Sequence, residues 1–456
     1  MVALDRVRRV RLPLVFVSIL FVAYTSLAVR RHLTFQTAGW DLGIFEQAIR
    51  NYSSFHAPIA VLKGPGYNLL GDHFHPILIL LAPLYSVLPS PITLLVAQAF
   101  LFAVAAWPLV ASARRRLGCR GAVVIGLVYG LSFGLASAIG FDFHEIAFAV
   151  PLLAFSLTAL GERRFRAAAA WAIPLVLVKE DLGLTVAMIG ILIAVAGQRR
   201  LGVFLAIFGA GATAIEVGVL LPLINSAGGY DYWAKLTGHS LVEVLATGAG
   251  EKLVTLALTF AITGFIALRS PLALVALPTL LWRFVGDDAN YWGTTYHYSA
   301  VLMPVVVAAM IDGLARLRAS TSRRMARLPV WFMSIAVAVS VLQVPFYPLA
   351  QLATAQLWQP NPHAPAVNRA LSLIPDNAIV SASDNMIPQL TSRDTVTLFG
   401  LRPLAEVRPE WILVNPWSTR HFALSPYREH RDLLLAENAG YTVVLNEDGV
   451  VVLHRG

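Results

Sequence analysis

The residues able to do chemistry fall into five short polar stretches between apolar runs: "GWDLGIFEQAIRNY" (39–52), "GDHFHP" (71–76), "FDFHE" (141–145), "KED" (179–181) and "YHY" (296–298). Asp41 is a candidate general base, because a carboxylate beside a bilayer is costly to dehydrate and is often functional there. Capping is the alternative: Asp41 could begin an amphipathic helix, where a carboxylate is favoured, with Trp40 anchoring it at the headgroup level. Glu46 reads as a helix-surface charge. His73 and His75, two residues apart, could face one way from a turn and donate to an anionic headgroup. Pro76 suits the first turn of the helix that follows. Asp142, His144 and Glu145 could hold a divalent cation or sugar hydroxyls, or cap the next helix. Lys179 could act as a point charge on a phosphate, with Glu180 and Asp181 beside it as ligands or as neutralising partners. Tyr296 and His297 head another apolar run, in an aromatic segment that suits an interfacial belt or a sugar-stacking wall. Arg283, at the outer end of a span, is a candidate bidentate phosphate ligand.

The elements that must position these residues are membrane helices. The chain is 57% hydrophobic and 13% charged, against about 25% charged residues in soluble domains. Its many long apolar runs indicate a polytopic α-helical membrane protein, since a β-barrel would need short alternating segments. The net charge of +9 does not imply nucleic acid, because the arginines sit in short loops, where they set topology. The single cysteine, Cys119, excludes an internal disulfide and a cysteine metal site. The basic, then apolar N-terminus reads as an uncleaved signal anchor.

Spans are expected at 12–29, 91–112, 121–140, 146–161, 167–178, 182–197, 201–223, 253–268, 271–285, 298–316 and 329–347, about eleven transmembrane helices in all. Residues 77–88 are apolar but too short to cross, and read as interfacial or re-entrant. The arginine clusters at 6–11, 114–120, 163–166, 199–200, 269 and 316–327 then share one side. That side is cytoplasmic by the positive-inside rule, with the N-terminus inside and the C-terminus outside. All five polar stretches, and the loop 225–240, fall on the outer face. After the transmembrane part (1–349), β-rich runs such as "AIVSAS", "TVTLFG" and "EWILVNP" alternate with amphipathic helices. "NEDG" between two such runs is a hairpin signal. A small external α/β domain is expected over 350–456, as a cap on the membrane part or as a substrate-binding element.

Three pieces together, "WDLGIFEQAIRN", "HFHPILILLAPLY" and "FDFHEIAF…KEDLG…YHYSAVLMP", resemble a family of predicted bacterial membrane proteins classified as a domain of unknown function. The whole also resembles the wider GT-C superfamily of integral-membrane glycosyltransferases, with an acidic residue in the first external loop, a short interfacial helix near "HP" and a second span ending in arginines. That resemblance implies a GT-C-like fold and an inverting transferase of the bacterial inner membrane. It implies a polyprenyl-phosphate sugar as donor and a cell-envelope glycan, lipid or protein as acceptor, with membrane lipids around it. It assigns the base to Asp41. A divalent cation (Mg or Mn) could assist, although a strict DxD pair is not present. Two other classes compete: a transporter or flippase, and a non-catalytic assembly protein. They are separated by whether Asp41, His75, His144, Lys179 and His297 converge on one cavity.

Overall fold

A computed structural model describes residues 2–226, 228–230, 232, 240–320, 323–417 and 425–456. Of the expected outer loop 225–240, residues 227, 231 and 233–239 lie outside the described residues. The membrane part is helical. Four of the described helices are long and apolar enough to cross a membrane: Arg11–Leu33, Pro91–Gly140, Arg199–Ile224 and Leu328–Phe346. A fifth counts if Ala289–Ser299 and Leu302–Arg318, bent by 68°, form one broken span. The count differs from the expected eleven in part for two local reasons. Spans 91–112 and 121–140 join into one long helical run, with a turn at Gly118 (φ 75°) that glycine accommodates. Elsewhere, 3₁₀ segments with early prolines, Ile173–Leu177 and Pro271–Ala276, shorten the α-helical part.

Small residues set the packing. Leu182–Val195 lies against Arg199–Ile215 with Gly190 close to the Ala206 and Gly202 backbones and Gly183 close to Gly209. The glycines recur seven residues apart on each helix, the close-approach pattern that replaces hydrophobic driving force in a bilayer. The helix Leu302–Arg318 is buried over its whole apolar length, as expected for an element apolar on all sides. The short run Pro76–Val87 buries Leu78 and Tyr85 and exposes Ile79, Leu80, Leu84 and Val87. That one-sided apolar surface suits an interfacial element.

The C-terminal sheet has the order β2-β1-β3-β5-β4, with β1 Ile379–Ala382, β2 Thr395–Leu398, β3 Trp411–Val414, β4 Tyr441–Glu447 and β5 Val450–Arg455. β2, β1 and β3 are parallel, and β5 joins β3 and β4 antiparallel. The β4–β5 turn is Asp448-Gly449, with φ of 53° and 78°, the paired positive angles of a type I′ hairpin. This sheet unit packs directly on the first polar loop. Arg50 donates to the carbonyls of Thr391, Arg393 and Asp394, and Gln47 donates to the Val396 carbonyl.

Glu46 corrects the expectation of a surface charge. It is fully buried in the helix Ile44–Ser53. It accepts hydrogen bonds from Tyr85 (2.8 Å) and from Thr391 of the sheet unit. Burial raises its pKa from 4.5 to about 7, against the pull of Thr391, Tyr85 and Arg50. A carboxyl whose folded pKa is raised stabilises the fold fully below the unfolded value and loses that contribution as pH rises through the folded one. The expected result is a loss on the order of 3 kcal/mol between about pH 4.5 and pH 7. Glu46→Gln should remove that loss, so its melting temperature gains on the wild type as pH rises from 5 to 8. Parallel melting curves across that range would contradict the assignment.

Candidate functional site

All five polar stretches contribute residues that meet at one end of the helical part. They line a cavity of about 870 Å³ together with the sheet unit. Trp40, Asp41, His73, His75, His144, Glu145, Lys179, Tyr296 and His297 all face it. Asp142, Glu180, Asp181 and Arg283 do not.

Asp41 does not cap the helix. The helix starts at Ile44 behind Gly43, with no side-chain cap. Asp41 instead has φ 89° and ψ −74°, close to the strained γ-turn conformation, which turns its side chain toward His144. The Asp41 Oδ2 to His144 Nε2 separation is 3.2 Å, without hydrogen-bond alignment. Such contacts in substrate-free sites often tighten only on binding. Trp40 faces the cavity, with the Lys63 ammonium 5.4 Å from its ring, a cation–π distance.

The loop carrying His144 is fixed by Gln98 of the helix Pro91–Gly130, which donates to the Asp142 carbonyl and accepts from the His144 amide (3.0 Å). Asp142 has φ 69°, and its carboxylate accepts from the Ala38 amide (2.9 Å). Asp142 is thus a brace between two loops and not a ligand. The His144 ring stacks on His297 with centroids 3.5 Å apart, and Tyr296 meets Phe141 edge-on at 4.6 Å.

The charged groups are paired in an alternating array. Lys179 contacts Glu145 at 3.0 Å. Glu180 accepts from His73 Nδ1 (2.7 Å) and from the Phe74 amide (3.1 Å), so it holds the "GDHFHP" turn from behind. Asp72 pairs with Lys63 at 3.0 Å. Burial would lower the Lys179 pKa, but Glu145, Glu180 and Asp181 hold it well above its ordinary value. Burial and Lys179 would lower His73, yet Glu180 and Asp72 raise it, favouring the imidazolium. His75, buried, is pushed down to about 4 and is neutral. Burial raises Asp181 to about 6 against Lys179. The cavity therefore offers a locked ammonium, an imidazolium and a neutral imidazole around the partly exposed Asp41 carboxylate.

Lys179→Met should destabilise the protein by about 3–5 kcal/mol, because Glu145 is left buried and unpaired. Adding Glu145→Gln should restore most of that loss in thermal denaturation. No restoration would mean that the pair is not the source.

Arg283 is not a phosphate ligand in this arrangement. It is fully buried, and all three of its nitrogens donate to the protein: to the Tyr291 and Gly293 carbonyls (both 2.8 Å) and to Ser299 Oγ (3.1 Å). It staples the loop before His297. Among the described residues no group of three or more His, Cys, Asp or Glu side chains could hold a metal ion. Asp72 and Glu145 pair with lysines, and Asp384 accepts from the Trp40 amide.

Other cavity residues were not singled out from sequence: Arg31, Lys63, Tyr232, Trp282 and Asp384. Arg31 had a signal, since an arginine at the outer end of the first span runs against the positive-inside rule. Asp384 had another, since it follows β1, and ligands of open α/β sheets bind beyond the carboxyl ends of strands.

The profile of the family described as "Predicted membrane protein (DUF2079)" matches residues 31–452. Comparison with curated proteins gives no match. Among solved structures, the chain is similar to the crystal structure of ArnT from Cupriavidus metallidurans in the apo state. The TM-score is 0.53 at 10% identity, covering 99% of this chain and 98% of that one. At that identity the likeness concerns the fold alone, a helical part followed by a small C-terminal sheet.

Proposed function

This chain belongs to that family of predicted membrane proteins, and from that premise we propose that it is an inverting glycosyltransferase using a polyprenyl-phosphate sugar. In this reading the acceptor is a hydroxyl at the outer face of the bacterial inner membrane, with the N-terminus inside. One observation carries the reading: Asp41, His75, His144, Lys179 and His297 line a single cavity. A scaffold has no need of that convergence. A transporter would need polar groups near the bilayer midplane and access from both sides, whereas this cluster sits at one end of the long helices.

The chemistry follows from the groups present. The Asp41 carboxylate takes the acceptor proton as the hydroxyl oxygen attacks the anomeric carbon. The bond from that carbon to the lipid-phosphate oxygen breaks, and the electron pair leaves with the phosphate. Lys179, and His73 as an imidazolium, stabilise the charge on that leaving group. His144 orients Asp41. Trp40 and Tyr296 supply flat walls for a sugar ring. A single displacement inverts the anomeric centre.

The test uses farnesyl phosphate as a short donor-lipid probe. It should bind the purified chain, farnesol should bind far more weakly, and Lys179→Ala should weaken the phosphate form by about tenfold or more. Equal binding of farnesyl phosphate and farnesol would sink the reading.

A further inference from the structure

A second cavity, of about 260 Å³, opens at the other end of the same helices. Its residue Arg115 lies 17 positions along the helix Pro91–Gly130 from Gln98, which is about 25 Å of helix. The walls are apolar and aromatic, with Trp107 and Ala111 on one helix and Phe155 and Trp171 on its neighbours. Phe155 and Trp171 stack with centroids 4.5 Å apart, and Trp171 is 42% exposed. Two arginines, Arg115 and Arg164, form the rim. Both reach the same carboxylate: Arg115 Nε donates to Glu162 Oε1 and Arg164 Nε to Glu162 Oε2, each at 3.1 Å. Two guanidiniums over one carboxylate leave a positive charge, and both guanidinium side chains are about half exposed, at 50% and 56%.

We propose that this groove binds a phospholipid with an anionic headgroup, drawn from the leaflet opposite the main cavity. The charge excess favours a phosphate, guanidinium geometry suits it, and basic pockets between membrane helices accept such headgroups. The apolar aromatic wall selects a lipid over a soluble anion, because only a lipid covers that wall. Glu162 is the built-in competitor: it occupies both arginines when no lipid is present. Lipid binding joins the helices that follow "FDFHE" and lead into "KED", so occupancy stabilises the whole chain.

The test measures melting of the full chain in neutral detergent with added phosphatidylglycerol, phosphatidylcholine or inorganic phosphate. Phosphatidylglycerol should raise the melting temperature more than phosphatidylcholine, and inorganic phosphate should have no effect. Removing the arginines should weaken lipid retention in native mass spectrometry by about fivefold each, so Arg115→Gln with Arg164→Gln should erase the anionic preference. Arg199→Gln with Arg200→Gln, on the same face, should keep it. Glu162→Gln should strengthen the preference, a sign that a merely structural ion pair does not give. Equal effects of the two lipids, an equal shift with inorganic phosphate, or a preference that survives the Arg115/Arg164 change would each overturn the proposal. If the double variant does not fold, an unchanged or weakened preference in Glu162→Gln overturns it alone.

Discussion

Replacing Asp41 by asparagine is expected to lower the rate of sugar transfer by about 10²–10⁴-fold, the usual contribution of a positioned general base. Binding of the lipid-phosphate donor should barely change, because the phosphate is held by groups other than Asp41. Asparagine keeps the shape of the side chain and its contact with His144, but it cannot take the acceptor proton. The effect should therefore fall on kcat, with KM for the donor nearly constant. A fall in KM-linked binding with kcat intact would mean that Asp41 positions the donor and does not act as the base.

Asp384→Ala is expected to lower kcat by about 10²-fold without any contact to the reacting atoms, as small misplacements of catalytic groups can. The reason is the backbone of the Asp41 loop. A non-glycine residue at φ 89° and ψ −74° costs about 1–3 kcal/mol and persists only where the surroundings over-determine it. Here three successive amides are tied down. The Ala38 amide donates to Asp142 Oδ2 at 2.9 Å, the Gly39 amide to the Asp384 carbonyl at 2.7 Å, and the Trp40 amide to Asp384 Oδ1 at 2.8 Å. Two of the three ties come from the sheet unit. The loop is also clamped from above, since a Cβ on Gly39 would overlap the Ile387 side chain. Asp384→Asn keeps an acceptor for the Trp40 amide and should keep most of the activity. That rescue distinguishes positioning from a role of the negative charge. If the asparagine and alanine variants lose activity equally, the charge of Asp384 matters, and the clamp is not its function.

The site's acids and bases were legible because charge is scarce in this chain. A histidine or lysine between apolar runs stands out, and the arginine pattern sorts the loops to one face. Asp41, His144 and Lys179 could be nominated that way, and the cavity brings them together. What could not be read is partnership over long separations. Glu46 looked like a surface charge because its partners, Tyr85 and Thr391, are 39 and 345 residues away. Arg283 resembled a phosphate ligand because the carbonyls of Tyr291 and Gly293 have no signature in sequence. Asp384 was missed because its role exists only when a sheet unit 344 residues downstream packs on the first loop. The strands of that unit follow their β-branched runs closely. The helices of the membrane part follow apolar content but not length, because prolines and glycines break the runs locally.

The most direct test is a structure of the full chain with a bound, non-transferable polyprenyl-phosphate sugar analogue. The account predicts the phosphate within hydrogen-bond reach of Lys179 and His73. It predicts the anomeric carbon facing the Asp41 carboxylate across a space that fits one hydroxyl, with the sugar between Trp40 and Tyr296. An analogue whose phosphate lies outside this cavity, or whose anomeric carbon points away from Asp41, would contradict it.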